Sequence, residues 1–400
     1  MKTVLISIAI LVFLAFFGWF LYFLFLGSRS ATETEQKTAL VAEHQKEYEL
    51  AESSRIGFVD ASQDYGILAK VSVKWDRPHP GPFNWQEIGL KKYDFCKVDE
   101  YVKQAQAYGF VTLATIWPFN SKDQETCHSN LPKIGDKTFP QLADRAGIPC
   151  DLSSYKDFVR SLVERYDGDG VDDYENLKFP INYWEVTNEP DMRNGDLIFF
   201  QGSVADYAEL VKITYQSIKQ ANLNAKVLLG GASGLSNPEQ TTFWSDFFAT
   251  SGIENYFDIL NIHSINASKN LFVSDFFNLA RTANKTEKVA KAPLWVTEVS
   301  FDYGQSQFGN VDQTGQANLI KTGFVLGFAQ GATKIFYTIL KSNDQKLAKA
   351  ALITPDDQIT PAWTIFSDLV SKINHFTKVE KISDNQYKFL TDQETYWFTI

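Results

Sequence analysis

Cysteine is scarce in this sequence, with three residues among 400. A disulfide-dense miniature domain is therefore excluded, because such folds depend on many closely spaced cystines. Basic charge is in deficit as well: 38 Lys and Arg against 48 Asp and Glu give a net charge of −10. This acidity argues against a nucleic-acid partner, because phosphate binding needs clustered positive charge.

Three signatures of common catalytic classes are also missing. No glycine-rich phosphate turn follows an early strand, which disfavours an open doubly wound sheet relative to a closed barrel as the fold. There is no H-E-x-x-H sequence and the five His are dispersed, so we expect no metal ion and no cofactor. The absence of a G-x-S-x-G motif disfavours a serine hydrolase.

Apolar residues make up 44% of the chain but are unevenly distributed. Residues 4–26 form an almost unbroken apolar run, which is long enough to span a bilayer. We predict a transmembrane signal-anchor over residues 1–27, and a cleaved signal peptide is the alternative. Lys2 precedes the run and Glu33 and Glu35 follow it, so the positive-inside rule places the remaining chain outside the cytoplasm.

The rest of the chain divides by pattern. Residues 28–53 are polar and rich in Glu, and we predict a stalk. Over residues 54–376, short apolar runs alternate with helical patterns, as expected for parallel strands that are buried on both faces. The eight predicted strands are Ile56–Val59, Ala69–Trp75, Phe110–Trp117, Ile181–Thr187, Lys226–Gly230, Asp258–His263, Pro293–Glu298 and Lys334–Ile339. We therefore predict an α/β fold, a (β/α)₈ TIM barrel, with a β-hairpin extension at residues 377–400.

Two of the predicted strands lead into a glutamate. The fourth runs into Asn188, Glu189 and Pro190, and the seventh ends at Glu298. Because active sites of such barrels lie at the C-terminal ends of the strands, both carboxylates would reach the same mouth. A pair of carboxyl groups placed this way suits cleavage of a glycosidic bond, in which one protonates the leaving oxygen and the other attacks the sugar.

The sequences around both glutamates resemble known motifs. INYWEVTNEP (Ile181–Pro190) and PLWVTEVS (Pro293–Ser300) are similar to the fourth- and seventh-strand segments of the large clan of retaining glycoside hydrolases with (β/α)₈ barrels. That clan includes cellulases, β-mannanases and β-xylosidases. The resemblance implies that Glu189 is the acid/base, that Glu298 is the nucleophile and that Asn188 binds the sugar 2-hydroxyl.

Further residues follow from the same resemblance. VKWDRPHPGPFNW resembles the clan's second-strand segment, which implies that Arg77 orients the nucleophile, and NIHSI implies that His263 lies beside it. We also predict that Trp117, at the end of the third strand, stacks on a sugar face. The clan's eighth-strand platform Trp is absent here, and we predict that Tyr337, the nearest aromatic residue, stacks on the sugar in its place. We interpret Glu185 as a buried structural carboxylate.

The sequence thus predicts a membrane-anchored, extracytoplasmic retaining glycoside hydrolase that acts on β-linked oligo- or polysaccharides. Two alternatives stay open: a carbohydrate-binding barrel without catalysis, and a transglycosylase that uses the same residues. The oligomeric state is not predicted. For a barrel outside the cell we further expect a disulfide between Cys127 and Cys150, in the long loop after the third strand, and a buried thiol at Cys96.

Overall fold

A computed structural model describes residue 19 and residues 42–134, 139, 141–192, 198–306 and 309–400. The chain divides into two units, Met1–Leu50 and Ala51–Ile400. Helix α1 covers residues 42–53. Among the described residues, no helix is both long and apolar enough to cross a membrane. The predicted anchor at residues 4–26 lies outside the described residues, apart from Trp19.

Eight parallel strands form the wall of the second unit. They are β1 Ile56–Val59, β2 Trp75–Arg77, β3 Val111–Ile116, β4 Tyr183–Val186, β5 Lys226–Leu229, β6 Leu260–Ser264, β7 Leu294–Val299 and, after a small hairpin of β8 Gly304–Ser306 and β9 Gly309–Val311, β10 Ala332–Tyr337. Their spatial order is β5-β4-β3-β2-β1-β10-β7-β6. Isolated bridges from Leu228 to Ile259 and from Ala232 to Ile262 close the ring between β5 and β6. The predicted (β/α)₈ barrel is confirmed.

Helices surround the strands and follow them in sequence. They are α2 Tyr65–Lys70, α3 Trp85–Ile88, α4 Cys96–Ala107, α5 Ser121–Cys127, α6 Leu152–Glu164, α7 Val204–Ala221, α8 Pro238–Ala249, α9 Val273–Ala283, α10 Glu287–Lys291, α11 Gln313–Ala329 and α12 Pro361–Ile373. Capping boxes start α7 at Ser203 and α8 at Asn237, where each cap side chain accepts from a backbone N–H that the helix leaves unpaired.

The prediction for the second strand is wrong over most of its length. Instead of a strand from residue 69, helix α2 extends to Lys70, because the Asp64 carboxylate caps it by accepting from the Ile67 N–H. The chain then reverses at Ser72, whose φ of 64° is left-handed. Only at Trp75 does the backbone become extended. This turn brings Arg77 to the C-terminal end of its strand.

The N-terminal end of the barrel is closed by aromatic rings. Trp75 lies edge-on to Tyr183 and Trp295, with ring centroids 5.0 and 5.3 Å apart. The Lys334 ammonium lies 4.4 Å from the Trp75 ring centroid and donates to the Ser54 carbonyl at 2.5 Å. These contacts fill the barrel interior at its N-terminal end with aromatic rings and the Lys334 side chain.

The cysteines give one confirmed and one wrong prediction. Cys127 and Cys150 form the predicted disulfide, which joins the end of α5 to the start of α6. Cys96 is exposed rather than buried. It is the first residue of α4, and the Asp94 side chain accepts its N–H at 3.0 Å, which keeps this helix start at the surface.

The C-terminal residues form a separate antiparallel sheet. Its strands are β11 Lys378–Lys381, β12 Gln386–Leu390 and β13 Thr395–Thr399. The predicted hairpin corresponds to β12 and β13, and β11 is an additional strand. Phe389 and Phe398 pack edge-on to each other, and Phe389 also contacts Phe328 of α11. The sheet therefore packs on the outside of the barrel.

Candidate active site

Glu189 and Glu298 meet at the C-terminal end of the barrel. Glu189 follows β4, where Thr187 and Glu189 both have positive φ, at 57° and 39°. Such backbone is costly for residues with a Cβ and is typical of sites whose surroundings fix an unusual geometry. One oxygen of Glu189, one oxygen of Glu298 and a ring nitrogen of His263 all lie within 4.8 Å of one another. Both glutamates are more than 90% buried.

Arg77 connects three acidic or amide side chains. Its guanidinium donates to Glu185 Oε2 at 2.7 Å, to Glu298 Oε1 at 2.6 Å and to Asn188 Oδ1 at 2.7 Å. All four residues are buried. Charge-assisted hydrogen bonds of this kind fix direction as well as distance. The structure thus brings Arg77 into contact with the predicted nucleophile and with Asn188.

His263 lies between the two glutamates and is closer to Glu189. Its Nδ1 is 2.8 Å from Glu189 Oε1 and 3.9 Å from Glu298 Oε1, and its Nε2 is 2.9 Å from Thr297 Oγ1. This close fit needs a glycine next to the ring. A Cβ at Gly231 would lie 2.0 Å from His263 Nε2.

The surroundings drive the two glutamates towards opposite protonation states. Burial raises the pKa of Glu189 above its usual value. Burial acts in the same direction on Glu298, but the positive charges of His263 and Arg77 outweigh it and lower the pKa of Glu298 to about 2. A carboxylic acid and a carboxylate side by side are the two species that acid-assisted nucleophilic attack requires.

His79 is a further residue of the site, to which the sequence analysis assigned no role. Its Nδ1 lies 3.6 Å from Glu298 Oε1 and is buried without a hydrogen-bond partner among the described residues. Burial lowers the pKa of His79 to about 4, so the ring is neutral near pH 7. Phe139 and Phe199 contact the ring edge-on, at centroid distances of 5.2 and 5.9 Å.

Thr297 and Asn261 were also missed. Thr297 donates to Asn261 Oδ1 at 2.8 Å, and Asn261 Nδ2 donates to Glu185 Oε1 at 2.7 Å. For Asn261 the available signal was the strand period of two, because Asn261 precedes His263 by two residues. Polar residues at such positions of an otherwise apolar strand point into the barrel. Thr297 is adjacent to Glu298, so this period gave no signal for it.

Two predicted sugar-stacking residues are corrected by the structure. Tyr337 is fully buried, its ring packs against Phe58 and Phe366, and its hydroxyl donates to the Ala350 carbonyl at 2.7 Å. Trp117 is 1% exposed, and its indole N–H donates to the Pro80 carbonyl. Both rings are core residues here because neighbouring side chains already cover them.

The same cluster has the composition of a metal site, since a His and two carboxylates converge. The charge balance favours a different use. Glu298 is already paired with the Arg77 guanidinium at 2.6 Å, and a second cation beside that positive charge would be repelled. The arrangement is suited instead to proton transfer and nucleophilic attack.

A family model for the glycosyl hydrolase catalytic core matches residues 150–366, which is more than half of the chain. The matched range contains both Glu189 and Glu298, whereas Arg77 and His79 lie outside it. A search of curated proteins finds no significant match.

Many solved structures share the fold. A family 39 glycoside hydrolase from Bacteroides cellulosilyticus superposes with a TM-score of 0.61 at 15% identity, over 87% of this chain and 71% of that one. A monomeric β-xylosidase from Caulobacter crescentus gives 0.62 at 15% identity, over 86% and 72%. A xylanase from Thermotoga petrophila gives 0.53 at 14% identity, over 81% and 96%. At such identities the likeness concerns the fold, and the family assignment rests on the sequence match. The chain belongs to the glycosyl hydrolase catalytic core family, as the two glutamate motifs predicted.

Proposed function

We propose that this glycoside hydrolase cleaves β-glycosidic bonds with retention of configuration. The observation that carries the proposal is the distance between the two carboxyl groups, whose facing oxygens lie within 4.8 Å of each other. Retaining enzymes hold this pair about 5–5.5 Å apart, whereas inverting enzymes need about 6.5–9.5 Å to admit a water molecule between carboxylate and sugar.

In the first step Glu298 attacks the anomeric carbon while Glu189 protonates the departing glycosidic oxygen. The low pKa of Glu298 keeps it ionised, and the raised pKa of Glu189 favours its protonated form. A covalent glycosyl-enzyme results. In the second step Glu189, now a carboxylate, takes a proton from water, which attacks the anomeric carbon and releases Glu298.

Two side chains are placed to bind the sugar beside Glu298. Arg77 occupies the side-chain carbonyl of Asn188, so the Asn188 amide NH₂ is the group left to donate to a sugar hydroxyl. The Nδ1 of His79, which has no hydrogen-bond partner in the part of the chain that the structure describes, offers a second contact. Since two similar structures are named as a β-xylosidase and a xylanase, aryl β-xylosides and xylo-oligosaccharides are the first substrates to test.

Azide rescue of two variants tests this assignment. For Glu298→Ala we expect hydrolysis of an activated aryl β-glycoside to fall by about 10⁴-fold or more. Azide then enters the space of the lost carboxylate and yields the α-glycosyl azide. For Glu189→Ala, azide instead attacks the glycosyl-enzyme and yields the β-glycosyl azide. Product configuration by NMR distinguishes the two roles.

The exposed Glu239 of α8 supplies the control, since Glu239→Ala should retain parental activity and give no glycosyl azide. Parental enzyme that binds saccharides without turning them over would identify a carbohydrate-binding barrel. Parental enzyme that transfers glycosyl groups to sugar acceptors in preference to water would identify a transglycosylase. Full activity of Glu298→Ala would refute the proposal.

We also propose that residues 4–26 anchor the enzyme in a membrane with the barrel outside the cytoplasm, as their length and the flanking charges favour. The full chain should sediment with membranes and resist carbonate extraction, and protease added to intact cells without a wall should reach the barrel. A chain starting at residue 28 should stay in the soluble fraction. If expression of the full chain instead gave a soluble product without the N-terminal residues, the segment would be identified as a cleaved signal peptide.

A further inference from the structure

Glu185 is the most heavily hydrogen-bonded carboxylate near the two catalytic glutamates. Its Oε2 accepts from Arg77 Nε at 2.7 Å and from Thr115 Oγ1 at 2.5 Å. Its Oε1 accepts from Asn261 Nδ2 at 2.7 Å and from the Gly231 N–H at 3.3 Å. Two donors thus lie within 3.3 Å of each oxygen, and the Thr297 hydroxyl lies 3.5 Å from Oε1 as a further contact.

One chain of hydrogen bonds leads from Glu185 to Glu189, and its direction can be deduced. Asn261 Nδ2 faces two acceptors, Glu185 Oε1 and the Leu229 carbonyl at 3.1 Å, so the opposite side of the amide is its carbonyl. That carbonyl must accept from the Thr297 hydroxyl at 2.8 Å. Thr297 has a single proton, so its oxygen accepts from His263 Nε2–H.

The consequence for His263 is that Nε2 carries a proton. In the neutral ring Nδ1 then has a lone pair, and it faces Glu189 Oε1 at 2.8 Å. Glu189 and His263 therefore share one proton. With the proton on Nδ1 the ring is positive and Glu189 is a carboxylate, and with the proton on Glu189 the ring is neutral and Glu189 is a carboxylic acid. The acid form of Glu189 is the form that the first catalytic step needs.

A second chain leads from Glu185 to Glu298. Arg77 Nε binds Glu185, and the terminal nitrogen of the same guanidinium binds Glu298 at 2.6 Å. Because the guanidinium is planar and rigid, fixing its Nε edge fixes the direction in which it points at Glu298. Glu185 is fully buried, as are Arg77 and Asn261.

We propose that Glu185 is a positioning residue that controls both catalytic carboxylates through two hydrogen-bonded arms. The first arm runs through Arg77 to Glu298, and the second runs through Asn261, Thr297 and His263 to Glu189. The inference rests on the proposed function, because it assigns the arms to a nucleophile and an acid. Glu185 is then more than the buried structural carboxylate interpreted from the sequence, because its substitution would change the reaction rate and its pH dependence.

Several titratable or charged groups face the two glutamates and contribute to the pH profile of the parent enzyme. They are Asp60 after β1, Arg77 and His79 at the end of β2, Asp191 after β4 and His263 of β6. None of these is altered in the variants below, so a change in a pH limb can be assigned to an arm.

The first variant is Glu185→Gln. Glutamine has one acceptor oxygen where glutamate has two, so one arm must lose its acceptor. If Arg77 loses it, the hold on Glu298 weakens and the acidic limb of kcat/KM moves to higher pH. If Asn261 loses it, the hydrogen bonds from Asn261 through Thr297 to His263 reverse their direction. The Nδ1–H of His263 then faces Glu189, and the basic limb of kcat/KM moves to lower pH. We expect the bell-shaped pH profile of kcat/KM to be narrower by about one pH unit. We also expect a reduced kcat and a KM within about twofold of the parent.

The second variant, Thr297→Val, keeps the side-chain shape and cuts only the arm to Glu189. We expect its basic limb to move to lower pH while its acidic limb stays in place. The control is Asp99→Asn, which removes a carboxylate paired with Arg165 at 2.6 Å outside the site. It should lower stability without moving either limb.

The proposal is overturned if Glu185→Gln or Thr297→Val folds, loses rate and keeps both limbs where the parent has them, since a merely structural role predicts that result. Should Glu185→Gln fail to fold, Thr297→Val alone decides. Absence of azide rescue in Glu298→Ala would refute the proposed function. Rescue combined with unmoved limbs would refute only the role of Glu185.

Discussion

His79 differs from Arg77, Glu185 and Asn188 because its ring nitrogen Nδ1 makes no hydrogen bond to another described residue. Glu185 and Asn188 both accept hydrogen bonds from Arg77, whereas His79 Nδ1 lies 3.6 Å from Glu298 Oε1 and is not hydrogen-bonded to it. A buried unpaired nitrogen costs free energy. Binding of a sugar hydroxyl at Nδ1 would remove that cost, which favours a role in substrate binding.

The variant His79→Phe tests this role. Phenylalanine retains a ring between Phe139 and Phe199 but has no nitrogen to bind a hydroxyl. We expect kcat/KM to fall by about tenfold, the value of one hydrogen bond, while the free energy of unfolding does not fall, because the variant no longer buries an unpaired nitrogen. Steady-state kinetics and urea unfolding measure both. An unchanged kcat/KM over a panel of aryl β-glycosides would contradict the prediction.

Single residues also show where the sequence was sufficient. Glu189 and Glu298 could be predicted because each follows an apolar strand at the end where barrels carry their sites. The direct bond between His263 and Glu189 could not, because it depends on Gly231 letting the ring approach. Tyr337 was misjudged for a similar reason: its sequence position matches a sugar platform, but packing against Phe58 and Phe366 decides its exposure.

At the scale of elements, the alternation of apolar and amphipathic segments identified seven of the barrel strands to within a few residues. The second strand failed because a local signal, the Asp64 cap of α2, outweighed the β-branched residues that follow. The disulfide between Cys127 and Cys150 was predicted only for a barrel outside the cell, because spacing alone does not show whether two cysteines pair. It joins residues 23 positions apart and so braces the loop that carries Phe139.

Removing this crosslink should destabilise the protein. For Cys127→Ser with Cys150→Ser we expect the free energy of unfolding to fall by up to about 3 kcal/mol, because the unfolded chain regains the entropy of a long loop. Proteolysis between residues 127 and 150 should become faster. Cys96→Ser is the matched control, since this exposed thiol has no crosslink to lose. Equal unfolding curves for the double variant and the control would show that the crosslink contributes nothing.

At the scale of the whole molecule, counting strand–helix units was enough to predict the barrel, because a sheet of eight parallel strands buries its apolar residues by closing on itself. Counting cannot tell where the ring closes most weakly. In this chain β5 and β6 meet through isolated bridges, whereas β6 and β7 pair over their full length.

The side chains of Asn261 and Glu185 span that weak junction. Asn261 of β6 donates both to the Leu229 carbonyl of β5 and to Glu185 of β4. Amide hydrogens of β5 should therefore exchange with solvent before those of β7. Each opening of this junction would also separate His263 from Glu189, so brief local fluctuations would interrupt catalysis while most of the barrel stays folded. Heat would then abolish turnover at a lower temperature than it abolishes secondary structure.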